Sequence, residues 1–158
     1  MAKIDQKKLK QALYKLREFN PSSIVYIATG GELLAQELAS NLTLPLFSFD
    51  IRYPYSRFIE KVPLFFMPVF WLFKEIIYRI STPVLKRNLF QGHIKNKIEV
   101  PVILVDDSIG SGKTVKIALD ELYSLGIMRN DIYIITLKCS KKREYLADLI
   151  LQDLIHLE

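Results

Sequence analysis

The stretch Val102 to Thr114, V-I-L-V-D-D-S-I-G-S-G-K-T, limits what this chain can fold into more than any other. Val102 to Val105 is a run of apolar, mostly β-branched residues with no polar alternation, the pattern of a buried strand. Asp106 and Asp107 close the run at the strand's C-terminal end. A turn carrying Gly110, Ser111, Gly112 and Thr114 follows. Beyond it Val115, Ala118, Leu119, Leu122 and Leu125 recur at helical spacing, with Gly126 where a helix C-terminal glycine belongs. Strand, acidic pair, small-residue turn, helix: that order predicts an α/β fold with a ligand site at the carboxyl end of a parallel sheet.

The parts indicate the ligand. A turn of glycines and hydroxyl residues opening a helix offers backbone N–H groups, hydroxyl donors and the positive end of the helix dipole, which together make a cradle for an anion, most naturally a phosphate monoester. The carboxylates before it cannot be phosphate ligands, because like charges repel. They suit hydrogen bonds from vicinal hydroxyls, such as a ribose diol, or a divalent cation held through water. The expected ligand is a sugar carrying a phosphate. Two other phosphate motifs are excluded. A Walker A loop needs a glycine five positions before Gly112, and Asp107 stands there. A dinucleotide G-x-G-x-x-G fails because Val115 occupies the place of the third glycine.

The whole of Val102–Thr114 resembles the phosphoribosyl pyrophosphate (PRPP) binding motif of the type I phosphoribosyltransferases: apolar strand, two acidic residues, then a hydroxyl-Gly-x-Thr loop. The resemblance implies a mostly parallel sheet flanked by helices, with a small hood region. It implies transfer of the 5-phosphoribosyl group from PRPP to a nitrogen nucleophile, with release of pyrophosphate and with Mg2+ as cofactor. On that reading Asp106 and Asp107 are catalytic: they face the ribose 2′- and 3′-hydroxyls and meet the metal through those hydroxyls or through water. Ser108, Ile109, Gly110, Ser111, Gly112, Lys113 and Thr114 hold the 5′-phosphate. Upstream, I-A-T-G-G-E-L-L-A from Ile27 resembles the family's pyrophosphate loop, which gives that role to Thr29, Gly30 and Gly31. Lys138, at the carboxyl end of a later strand, matches a lysine that contacts the base in the 6-oxopurine branch. The chain departs from the purine members at Thr29, where the 6-oxopurine branch has Lys or Arg, and at Gly110, where an acidic residue commonly handles the proton of the attacking ring nitrogen. The acceptor is therefore expected to be nucleobase-like and is not named by the sequence. The alternative from another class is a regulatory protein that binds PRPP without turning it over.

The remaining chain fits one domain, 1–158, with an apolar insert at about 52–97. Leu9, Ala12, Leu13, Leu16 and Phe19 predict a helix over 4–19. Ile24–Ala28, Leu44–Asp50 and Ile132–Leu137 read as strands, and Tyr145–Leu157 fits helix and strand equally. Arg52, Tyr55 and Arg57, around a proline, are candidates to clamp an anion or stack on a base, or form an ordinary solvated loop. Val62 to Phe73 carries no charge and is shorter than the roughly 20 residues a spanning helix needs. It reads as a hood over the site, as the interface of a homodimer or higher homo-oligomer, or as an element touching a membrane surface. A net charge of +5 suits a polyanionic small molecule, and no specific nucleic-acid partner is predicted. The single cysteine, Cys139, excludes an internal disulfide framework, and His93 and His156 lack zinc-ligand spacing, so any metal arrives with the substrate. Met1–Lys8 lacks the apolar core of a signal peptide, and the expected location is the cytoplasm.

Overall fold

The computed structural model describes residues 2–27, 30–52, 84–85, 98–151 and 155–157. In chain order these form β1 (Ala2–Ile4), α1 (Gln6–Phe19), β2 (Ser23–Ile27), α2 (Glu32–Leu42), β3 (Leu46–Phe49) and β4 (Ile51–Arg52). They continue with β5 (Val84–Leu85), β6 (Val102–Ile109), α3 (Lys113–Ser124), β7 (Ile132–Cys139), β8 (Leu149–Ile150) and β9 (Ile155–Leu157). Single 3₁₀ turns at Arg129–Asp131 and Lys141–Leu146 lead into β7 and β8.

Five strands make one sheet in the order β3-β2-β6-β7-β8, with every neighbour parallel. Alternation along these strands decides which helix covers which face. Ile24, Ile103, Val105 and Ile135 point to one side, where they pack with Leu9, Leu13 and Leu16 of α1 and Leu34, Ala35 and Leu38 of α2. Val25, Ile27, Leu104 and Ile134 point to the other, against Val115, Ala118 and Leu122 of α3. Both faces are thus buried, which explains the unbroken apolar run in β6. In α1 the buried Leu9, Ala12, Leu13 and Leu16 follow the i, i+3, i+4, i+7 stripe. That helix opens at Asp5, whose carboxylate accepts the N–H of Lys7 at 2.9 Å.

Three sequence expectations change. β6 runs on to Ile109, so Asp106 and Asp107 lie inside the strand rather than after it. β7 likewise reaches Cys139, and the pairs Asp106↔Thr136, Ser108↔Lys138 and Ile109↔Cys139 show why: the backbone ladder continues although the side chains have turned polar. The segment from Tyr145, read equally as helix or strand, is a turn followed by two short strands, and β9 pairs antiparallel with β1. The apolar segment 62–73, with its three readings, lies outside the described residues, as do Thr29, Tyr55 and Arg57. Among the described residues no helix is long and apolar enough to cross a membrane.

The connection from β2 through α2 goes to β3 on one side, whereas β6 through α3 goes to β7 on the other. Since β2 and β6 are neighbours, their carboxyl ends open the crevice where an α/β sheet of this kind binds its ligand.

Candidate functional site

The two loops at that crevice are pressed together, and glycine is the reason they fit. A Cβ on Gly30 would collide with the carboxyl group of Asp107. One on Gly31 would lie 2.9 Å from the carbonyl oxygen of Val105, closer than a real Cβ comes. The β2–α2 turn therefore lies on the end of β6, with Gly31 as the N-cap of α2. On the other side Gly112 is the N-cap of α3 at φ +76°, a left-handed conformation that costs glycine little. Ser111 Oγ accepts the N–H of Lys113 at 3.3 Å, and the first turn of α3 leaves amides without intrahelical acceptors.

Asp106, Ser108, Ile109, Gly110, Ser111, Gly112 and Thr114 line one narrow crevice of about 10 Å³. The structure thus brings together most of the residues singled out in this loop. Lys113 is the exception, for it lines the neighbouring cleft instead. Asp107 does not line this crevice; its carboxyl group lies against Gly30. Lys138 is exposed and stands beside Ser108 in the β6–β7 register. Buried Thr136 donates its hydroxyl to the Lys138 carbonyl at 2.9 Å and fixes that strand end. Arg52 belongs to β4, opposite Val84.

Burial leaves Asp106 only 5 % exposed and is the main reason its carboxyl group is pushed up from 3.8 to about 7. The charge of Asp107 and a side-chain hydrogen bond between the two acids act in the same direction, while the backbone amides of Asp107 and Ser108 oppose it. Near neutral pH Asp106 is therefore only partly ionised, and a cation or a pair of hydroxyl donors would favour its charged form. Among the described residues no group of three or more His, Cys, Asp or Glu side chains could cage a metal. The two carboxylates are hard oxygen donors of the kind that suits a water-bridged Mg2+.

Two further residues stand at this edge of the sheet. Val115 completes the crevice wall, but its apolar type marks it only as core. Asp50 follows β3 directly at the same edge and is 7 % exposed; its one sequence signal is a polar residue ending an apolar run. A larger cavity, about 520 Å³, lies between α1 and β8 and is lined by Gln11, Tyr14, Lys15 and Leu149–Leu151 among others. It is mostly apolar and holds no carboxylate among the described residues, so size alone does not mark the chemistry here.

This architecture recurs in solved structures. A purine phosphoribosyltransferase from Pyrococcus horikoshii superposes with a TM-score of 0.63 at 23 % identity, over 91 % of this chain and 78 % of that one. The xanthine–guanine–hypoxanthine phosphoribosyltransferase of Helicobacter pylori gives 0.59 at 17 %, over 93 % and 80 %. The fold is that of the phosphoribosyltransferases. A hypothetical protein from Neisseria gonorrhoeae with bound ppGpp superposes with a TM-score of 0.55 at 17 % identity, over 84 % of this chain and 65 % of that one. At the level of sequence, no family model and no curated protein matches the chain.

Proposed function

We propose that the chain is a phosphoribosyltransferase, moving the 5-phosphoribosyl group of PRPP to the nitrogen of a nucleobase-like acceptor and releasing pyrophosphate. The observation that carries this reading is the meeting of two anion-type turns at the switch point, with Asp107 against Gly30. A ligand with a phosphate at each end of a ribose matches that spacing of functions: anion, carboxylates, anion. The supporting likeness is one of fold, at 15–23 % identity across purine and adenine phosphoribosyltransferases.

In this reading the turn from Ser108 to Thr114 holds the 5′-phosphate by backbone amides and hydroxyls, so that binding energy positions C1′ for attack. Thr29, Gly30 and Gly31 receive the pyrophosphate. Asp106 and Asp107 accept hydrogen bonds from the ribose hydroxyls and, once ionised, favour the positive charge that develops at the anomeric carbon. The bond from C1′ to the pyrophosphate oxygen breaks, the bond from nitrogen to C1′ forms, and the nitrogen gives up its proton to solvent or to the departing pyrophosphate. Lys138 would meet an exocyclic oxygen on the acceptor. Mg2+, held through Asp106 and Asp107 by way of water or the ribose hydroxyls, would neutralise charge on the leaving pyrophosphate.

Gly110 favours a second reading. It lines the crevice and carries no group that takes a proton, so a protein that binds PRPP without transfer is the alternative. The Neisseria protein was found with ppGpp, and by likeness of fold an anionic nucleotide could occupy this site as an effector. The two readings part in one assay. With PRPP, Mg2+ and a panel of purine, pyrimidine and pyridine bases, release of pyrophosphate dependent on one base supports the enzyme and names the acceptor. PRPP bound without release on any base favours the regulatory reading.

A further inference from the structure

A second opening shares Ser111 and Gly112 with the crevice but none of its carboxylates. It has a volume of about 270 Å³ and lies between the start of α3 and the Lys141–Leu146 turn. Lys113, Lys116 and Arg143 supply three cationic side chains to its walls, and no acidic residue lines it among the described residues. Leu119 and Leu146 supply the apolar part. Leu146 is docked on the turn itself, its Cδ1 lying 2.6 Å from where a Cβ on Gly112 would be. Tyr145 stands at the rim, 70 % exposed, yet Arg143 Nη1 donates to its hydroxyl at 2.8 Å. Ring and guanidinium are thereby fixed with respect to each other. Holding Lys116 and Arg143 beside an ordered, exposed ring gains the fold little, since like charges repel and the ring keeps most of its contact with water. Phosphoribosyl transfer as described above makes no use of Lys116, Arg143 or Tyr145.

We infer that this cleft is a binding site for a small aromatic molecule bearing a phosphate or a comparable dianionic group. The anion sits between Lys116 and Arg143, where a guanidinium offers a paired donor fork. The ring lies against Tyr145, Leu119 and Leu146. The volume is a little below the range of roughly 300–1,000 Å³ usual for ligand clefts, which suits one ring and one anionic group rather than a dinucleotide. Such a molecule binds there whether or not the neighbouring crevice takes PRPP.

The test uses the full chain and phenyl phosphate as probe, with binding followed by NMR through the ring resonances of Tyr145. Saturable shifts are expected, and Lys116→Glu and Arg143→Glu should each weaken binding by about tenfold or more, the loss of one charge-assisted contact. Both positions lie at the surface, and unchanged far-UV circular dichroism verifies the fold of each variant. Lys116→Arg, which keeps the charge, should retain binding. Phenyl phosphate that leaves Tyr145 unshifted at millimolar concentration, or that binds both Glu variants as tightly as wild type, overturns the inference. PRPP binding is measured in parallel: its loss with the Tyr145 response intact refutes the phosphoribosyl reading and leaves the cleft standing, and the reverse pattern does the opposite.

Discussion

At the scale of single residues, Asp106 and the two glycines of the β2–α2 turn carry the clearest consequences. Asp106 holds its proton more tightly in the folded chain than in the unfolded one, since burial first and Asp107 second push it up to about 7. Its contribution to stability is therefore fully present below the ordinary value of 3.8 and is lost as pH rises through about 7. Urea unfolding of the ligand-free chain should show a stability that falls across this window, and Asp106→Asn, which cannot titrate, should flatten that part of the profile. The glycines separate two kinds of cost. Gly31→Ala meets the Val105 carbonyl oxygen, a backbone atom that cannot turn away, and should lose about 1–3 kcal/mol of stability. Gly30→Ala meets a carboxylate that can swing aside. It should lose less stability and more PRPP affinity, because Asp107 is moved; comparing unfolding midpoints with calorimetric affinities checks the contrast. That Gly30 and Gly31 form the turn between a strand and a helix was legible from their place in the sequence. Their need to clear Asp107 and Val105 was not, because those partners come from a strand far along the chain.

At the scale of elements, β8 shows how a short strand is completed by a side chain. With only Leu149 and Ile150 in the ladder, the N–H of buried Ile134 has no backbone partner from β8, and Asp148 Oδ2 accepts it at 2.7 Å. Arg129 Nη2 donates to the same carboxylate at 3.1 Å, and its Nη1 donates to the Ile132 carbonyl at 2.6 Å. Asp148→Ala should cost about 1–3 kcal/mol in denaturant titrations, the penalty for an orphaned buried donor. The ion pair itself, at 43 % and 29 % exposure, adds little, on the order of 0–1 kcal/mol. A loss below that range would mean that water replaces the carboxylate at Ile134. No sequence pattern announces this clamp, since Arg129 and Asp148 look like any charged turn residues. The strands themselves were legible as apolar runs, but their true ends were not: ladder pairing between β6 and β7 extends both past the point where the side chains become polar.

At the scale of the molecule, the strand order accounts for the site. The stretch Val102–Thr114 announced the α/β class because strand, turn and helix are local, and one face of each is written in period. It could not state that β2 lies next to β6, which is what brings the glycine turn to the acidic pair. Nor could it separate the crevice lined by Asp106 from the basic cleft beyond Gly112, because Arg143 and Tyr145 arrive from the turn after β7. The central claim, that this edge of the sheet holds PRPP through its carboxylates, is tested most directly by calorimetry. PRPP with Mg2+ should bind the wild-type chain at one site. Asp106→Asn together with Asp107→Asn, similar in shape and lacking charge, should weaken that binding by about a hundredfold or more, as the loss of hydrogen bonds to two ionised acceptors requires. A wild-type chain that takes up no PRPP, or a double variant that binds it as well as wild type, would contradict the account.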